Sequence, residues 1–171
     1  MADSFAVEVV TPEVTLYSGP AAAVVLRTSI GSVTFMAAHA PFVGDVVPGE
    51  VKVEIDGEPT IRLAVNGGFV QVDTSPHAAD GVEGAGESPL PGLTTRVTVL
   101  LGIAQRADEV DVAQAQEDLA AAQQRVDQLR ASAQGERAGE GVAPATADLV
   151  LAEGAVRWAE VRLDVAGVSA G

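Results

Sequence analysis

The 171-residue sequence contains no cysteine, a single lysine (Lys52), two histidines (His39 and His77), and aromatic residues at only 4% of positions. Each shortage removes a class of chemistry. Without cysteine there are no disulfides, no thiol nucleophile and no thiolate metal site, and a reducing compartment is permitted. With one lysine in the chain, a phosphate-cradling glycine–lysine loop is excluded. No Ser/His/Asp order and no His/carboxylate metal spacing accompanies the two histidines, so neither a catalytic triad nor a metal centre is expected. Ten basic residues stand against 24 carboxylates, for a net charge of -14. No basic patch survives that balance to hold a phosphate backbone, and nucleic acid is not an expected partner. No apolar run approaches the ~18 residues of a membrane span, and Met1-Ala2-Asp3-Ser4 carries no basic leader. The chain is therefore expected to be soluble and cytosolic unless a partner holds it at a membrane.

What is present is a core-forming composition, 47% hydrophobic with mean hydropathy +0.25, supplied by Val, Leu, Ile and Ala. Residues 5–101 read as about nine short strands. Phe5, Val7 and Val9 alternate with Ala6, Glu8 and Val10; Val51, Val53 and Ile55 alternate with Glu50, Lys52, Glu54 and Asp56. Thr11-Pro12-Glu13, Ser18-Gly19-Pro20, Pro48-Gly49 and Asp56-Gly57 supply turn chemistry between them. Strands at this spacing predict an antiparallel β-sandwich or flattened barrel over residues 1–103. Within it, residues 75–95 change texture to Gly and Pro with three carboxylates and no Lys or Arg, an insertion expected to be disordered at a hairpin tip.

From residue 104 the period changes. Val112, Ala115, Leu119, Ala122, Val126 and Leu129 recur at steps of three and four, and Leu149, Ala152, Val156, Ala159 and Leu163 repeat the pattern after a Gly-rich reversal. The prediction is an antiparallel helical hairpin over residues 104–171. Asp111 is placed to cap the first helix, with Gln114 to reciprocate as in a capping box. A narrow, alanine-rich seam buries little area, and Gly154 within the second helix costs about 1 kcal/mol relative to Ala, so the hairpin is expected to open easily.

Three further features have plain structural readings. His39, in Ala37-Ala38-His39-Ala40-Pro41, reads as a turn residue whose ring bonds backbone groups. Asn66-Gly67-Gly68-Phe69 reads as a bulge or tight turn, with Phe69 in the core. Arg157 and Arg162 fall off the apolar seam and read as a solvated face, though two arginines on one helix of an acidic chain also suit a carboxylate-bearing partner.

Taken in order, Val9-Val10-Thr11-Pro12-Glu13, Tyr17-Ser18-Gly19, Gly31, His39-Ala40-Pro41, Pro48-Gly49, Gly67-Gly68-Phe69-Val70-Gln71-Val72 and Val97-Thr98-Val99-Leu100 resemble the epsilon-subunit family of the proton-translocating, F-type ATP synthase. The resemblance spans nearly the whole chain. It implies a non-catalytic rotor subunit without cofactor, whose sandwich is clamped between the gamma subunit and the ring of c subunits. Its hairpin would lie folded or extend into the alpha/beta catalytic head and block ATP hydrolysis. The same resemblance places the loop Thr28-Ser29-Ile30-Gly31-Ser32 toward the c ring, the corner His39-Ala40-Pro41 near gamma, and Arg157 and Arg162 against acidic surface in the head. It implies a peripheral position on the cytoplasmic side of the cell membrane, reached only through the complex.

The sequence departs from the family where some members bind ATP. The first-helix motif, Ile/Leu-Asp-x-x-Arg-Ala, reads Val110-Asp111-Val112-Ala113-Gln114-Ala115, and the arginine pair of the second helix reads Trp158 and Arg162. Losing two guanidinium groups removes charge-assisted phosphate contacts worth up to about 3 kcal/mol each, so weak or absent ATP binding is expected. The competing readings are a stand-alone β-sandwich binding module that dimerises through its helices and a nucleotide sensor, the latter disfavoured by Gln114 and Trp158.

Overall fold

The computed structural model describes residues 4–74, 95–136 and 145–168, which fall into two compact units, Met1–Arg106 and Ala107–Gly171. The acidic insertion expected at 75–95 lies outside the described residues except for Thr95.

The first unit is a sandwich of two five-stranded sheets. One contains β1 (Phe5–Val10), β2 (Thr15–Ala21), β5 (Phe42–Val46), β8 (Gly68–Asp73) and β9 (Arg96–Leu101), in the order β2-β1-β9-β8-β5. The other contains β3 (Ala23–Thr28), β4 (Gly31–Phe35), β6 (Gly49–Glu54), β7 (Ile61–Val65) and β10 (Ala104–Arg106), in the order β10-β7-β6-β3-β4. Every pairing is antiparallel except β1 with β9, which is parallel. The core follows from the period-two alternation: Phe5, Val7 and Val9, Val24 and Leu26, Val51 and Val53, Leu63 and Val65, Val70 and Val72, and Val97 and Val99 all point inward with Phe35.

Three expectations are corrected. Ser18-Gly19-Pro20 is not a turn but the middle of β2, because β2 is an edge strand where proline's missing N–H withholds nothing from a neighbour. The chain instead switches sheets at Ala22, whose N–H donates to the Glu54 carbonyl at 2.8 Å. Phe69 is not in the core: Gly67 and Gly68 set the parity of β8 so that Val70 and Val72 face inward and Phe69 faces out, 64% exposed. The second sheet also runs on through β10, past the boundary expected at residue 103. Nothing in Ala104-Gln105-Arg106 alternates in polarity, yet its backbone pairs with Val65, Ala64 and Leu63.

The chain crosses between the sheets twice at one place. The Asn66–Gly67 step from β7 to β8 lies beside the Gly102–Ile103 step from β9 to β10, with Asn66 N–H donating to the Ile103 carbonyl (3.0 Å) and Gly102 N–H to that of Gly67 (3.2 Å).

The second unit opens with a single turn of 3₁₀ helix, Ala107–Glu109, and consists of α1 (Val112–Glu136) and α2 (Ala145–Val165), packed against each other. Asp111 caps α1, its Oδ1 accepting the Gln114 N–H at 3.0 Å. The reciprocal half of the expected capping box is absent, because the Gln114 amide turns along the helix to Asp118 instead. α2 ends in a Schellman turn, with Gly167 at φ 80° and the Val168 N–H donating to the Leu163 carbonyl.

Candidate functional site

The β3–β4 hairpin ends in the tight turn Thr28–Gly31. Thr28 Oγ1 donates to the Gly31 carbonyl at 3.0 Å, and Gly31 takes φ 126°, which suits glycine. Ser29 Oγ donates to Asp45 Oδ1 at 2.7 Å, tying the turn to β5 of the opposite sheet. Ile30 is left at the apex, 80% exposed. The turn is thus braced by two side-chain hydrogen bonds and presents an apolar tip.

His39 follows β4 in a corner of rings that meet edge to face. Its imidazole meets Phe35 edge-on at 4.9 Å between centroids and Phe42 at 6.4 Å. Nδ1–H donates to the Ala40 carbonyl at 2.7 Å, leaving Nε2 turned away from that bond. Ala38 supplies the reversal with φ 61°, and its N–H is received by the hydroxyl of buried Thr95 at 3.0 Å. His39 thus holds the turn through backbone bonding and ring contact, while Ala40 and Pro41 remain exposed beside it.

β5 leaves this corner and carries Val43 outward. Across the same outer face, Phe69 on β8 lies opposite Leu100 on β9, and Leu100 lies opposite Val10 on β1. Val43, Phe69 and Leu100 are 74%, 64% and 48% exposed, a group of apolar side chains on the outer sheet face. The sequence reading missed it. The signal available was that Val43 and Leu100 occupy the outward parity of strands whose inward parity, Val46 and Val99, is filled.

In the hairpin, every seam position expected from the sequence is buried or half-buried, but on α1 only Ala115 and Val126 are fully covered. Between Gln123, Val126, Asp127 and Arg130 on α1 and Glu153, Val156, Arg157 and Glu160 on α2 the helices leave an open groove of about 490 Å³. Arg157 is exposed, in keeping with a solvated face. Arg162 is not: its side chain is only 13% exposed, its Nη2 donates to Asp118 Oδ2 at 2.6 Å, and its Cζ lies 5.6 Å from the centre of the Trp158 ring. The Gln114 amide donates to the other oxygen of Asp118 at 2.9 Å. Asp118 therefore joins the residues that the degenerate nucleotide motif singled out, Gln114, Trp158 and Arg162, whereas Asp111 is occupied as the cap and Ala115 is buried in the seam. The Arg162 guanidinium, and after it the Gln114 amide, hold the Asp118 carboxyl below its ordinary range. Among the described residues, no group of three or more His, Asp and Glu side chains converges as a metal site would require.

Residues 4–76 match the family described as "ATP synthase, Delta/Epsilon chain, beta-sandwich domain". The ATP synthase epsilon chain of Sinorhizobium fredii is 46% identical over 72 residues, 42% of this chain and about half (54%) of that relative's length. That of Mycolicibacterium smegmatis is 34% identical over 120 residues, covering 70% of this chain and 83% of the relative. The chain belongs to the ATP synthase epsilon chain family. Its fold is also that of a chain in the Euglena gracilis mitochondrial ATP synthase, solved as OSCP/F1/c-ring in rotational state 1: TM-score 0.65 at 20% identity, over 95% of this chain and 81% of that one. As an epsilon chain it has three candidate working surfaces: the Thr28–Ser32 tip, the His39 corner continued by the Val43/Phe69/Leu100 strip, and the Asp118/Arg162 cluster of the hairpin.

Proposed function

We propose that the chain is a rotor subunit of the central stalk, linking the gamma subunit to the c ring during proton-driven ATP synthesis, with a hairpin that restrains ATP hydrolysis by the alpha/beta head. The observation that carries this reading is the strip Val43, Phe69 and Leu100. Three exposed apolar side chains share this sheet face, Phe69 directly beside Leu100 and Val43 diagonally across from Phe69, which is costly to leave in water, and the face continues from the corner His39-Ala40-Pro41 that the family resemblance turns toward gamma. Gamma is its occupant. The Thr28-Ser29-Ile30-Gly31-Ser32 tip faces the c ring, where a braced apolar apex can seat without rearrangement. The chain contributes no catalytic group and holds no cofactor. Torque passes through it because the sandwich is one hydrogen-bonded body. None of its described helices is long and apolar enough to cross a membrane; the peripheral position on the cytoplasmic side of the cell membrane, held by the complex, follows from the family resemblance.

Reconstitution tests both halves. Full-length chain added to a head-plus-gamma assembly lacking epsilon should bind and lower its hydrolysis rate, whereas a chain ending at Arg106 should bind without lowering it. Equal rates with both chains would remove the inhibitory role, and failure of either to bind gamma would remove the rotor role.

A further inference from the structure

The two helices of the hairpin are held by an apolar seam in which Ala115, Ala122, Ala152 and Ala159 contribute single methyl groups, and an open groove interrupts it around Val126 and Val156. Among the described residues, two ion pairs cross between the helices. Arg130 and Glu153 meet at 2.8 Å with both side chains about half exposed, an arrangement that water and salt screen effectively. Asp118 and Arg162 meet at 2.6 Å in a different setting. Arg162 is mostly buried, lies over the Trp158 ring one turn before it, and leaves its Nε without a hydrogen-bond partner. Asp118 is oriented from its own helix by Gln114, one turn earlier.

We propose that Asp118 and Arg162, positioned by Gln114 and Trp158, form a polar lock that sets how often the hairpin opens. When the hairpin is closed, a single carboxylate receives one donor from each helix, while Trp158, on the same helix as Arg162, positions the guanidinium for it. When α2 swings away, Arg162 loses both the carboxylate and the packing that the closed pair provides, and Asp118 keeps only Gln114. Because the apolar seam is thin, this cluster decides the balance, and the exposed Arg130–Glu153 pair does not. The regulatory consequence rests on the rotor reading, since an unlocked hairpin is the one that can reach the head. The lock itself is a property of the isolated chain.

The sequence has no native cysteine, so a label pair at Gln124→Cys and Leu151→Cys, both exposed positions on facing helices, reports the interhelix distance of the full chain by pulsed electron resonance. D118N and R162Q should each raise the long-distance fraction at least threefold with helix content unchanged by circular dichroism, and the double variant should raise it no further than either alone. E153Q should leave the distribution as it is. Unchanged distributions in both single variants, additive effects in the double variant, or an equal effect of E153Q would overturn the lock. No gamma subunit or head is present in this measurement, so a chain that shows the expected cycle but fails to bind gamma counts against the rotor reading and not against the lock.

Discussion

The α-carbon of Gly68 faces the backbone of Leu100 so closely that a β-carbon built on it would stand 2.0 Å from the Leu100 carbonyl oxygen and 3.0 Å from its carbonyl carbon. Neither atom can step aside, because Leu100 and Leu101 are held in the ladder between β8 and β9. Gly68→Ala should therefore destabilise the chain by about 3 kcal/mol or more, the range reached when backbone itself must move. Gly57→Ala is the informative contrast, since Gly57 also has positive φ (75°) but open space around it. It should cost only about 1 kcal/mol, the conformational term alone. Urea unfolding of the two variants checks the difference.

Ala38 is the one non-glycine residue with positive φ among the described residues, at 61°. A side chain in the left-handed region costs about 1–2 kcal/mol, part of which glycine's extra freedom in the unfolded chain takes back. Ala38→Gly should stabilise the sandwich by about 0.5–1 kcal/mol, read as a higher urea midpoint at unchanged slope. The His39 ring should stay where it is, because Phe35 and Phe42, not Ala38, position it.

Most of the fold was legible because its two halves carry different periods. Inward residues such as Val51, Val53, Leu63 and Val65 alternate cleanly, and the hairpin seam falls on the residues its three-and-four spacing named. The failures share one physical cause. Phe69, Pro20 and Ala104 were misplaced where the chain meets an edge or passes from one sheet to the other, and there the local pattern is compatible with either parity until a tertiary partner chooses. The turn role of His39, its ring bonded to a backbone carbonyl, was legible from its setting, whereas Thr28–Ser32 was singled out only by the family resemblance. Asp118 was not legible, because a carboxylate at the margin of a helical seam reads as solvated until the facing helix brings Arg162 to it.

Phe69 offers a clean separation of stability from docking. Its side chain is largely in water, so Phe69→Thr, which keeps strand propensity and adds no charge opposite Asp45, should change the stability of the free chain by no more than about 0.5 kcal/mol. It should nonetheless weaken binding to the gamma subunit at least tenfold, about 1.4 kcal/mol, as loss of an aromatic anchor at an interface does. Phe35→Ala should do the reverse damage, costing about 3–5 kcal/mol of stability through the core. Chemical denaturation and calorimetric titration with gamma measure the two effects independently.

The Asp118 carboxylate engages Gln114 on one oxygen and Arg162 on the other, two of the positions that the family resemblance assigns to a nucleotide site, and Trp158 stands where that resemblance expects a second guanidinium. ATP would have to displace an internal anion and would find one guanidinium there at most. Isothermal titration of the full chain should show no binding tighter than about 1 mM, a free energy near -4.1 kcal/mol. Gln114→Arg combined with Trp158→Arg and Asp118→Ala should bring measurable binding back. Micromolar affinity in the unaltered chain would contradict the occupied arrangement.

Acid should release the same cluster, and the direction follows from how Asp118 is held. Arg162 first, and Gln114 second, stabilise the ionised carboxylate in the folded hairpin, so its pKa lies below the unfolded value. A group depressed in this way contributes stability that is fully present above the unfolded pKa, near 3.9 for aspartate, and is lost as pH falls through the lower folded value. The closed fraction of the hairpin should therefore be flat from neutral pH down to about 4 and decline only below it. Asp118→Asn removes the titrating group, so its interhelix distances should start more open at pH 7 and lose the part of the acid response that the unaltered chain shows below pH 4. An opening midpoint between pH 5 and 7 in the unaltered chain would assign the response to a histidine or a raised carboxyl instead of to Asp118.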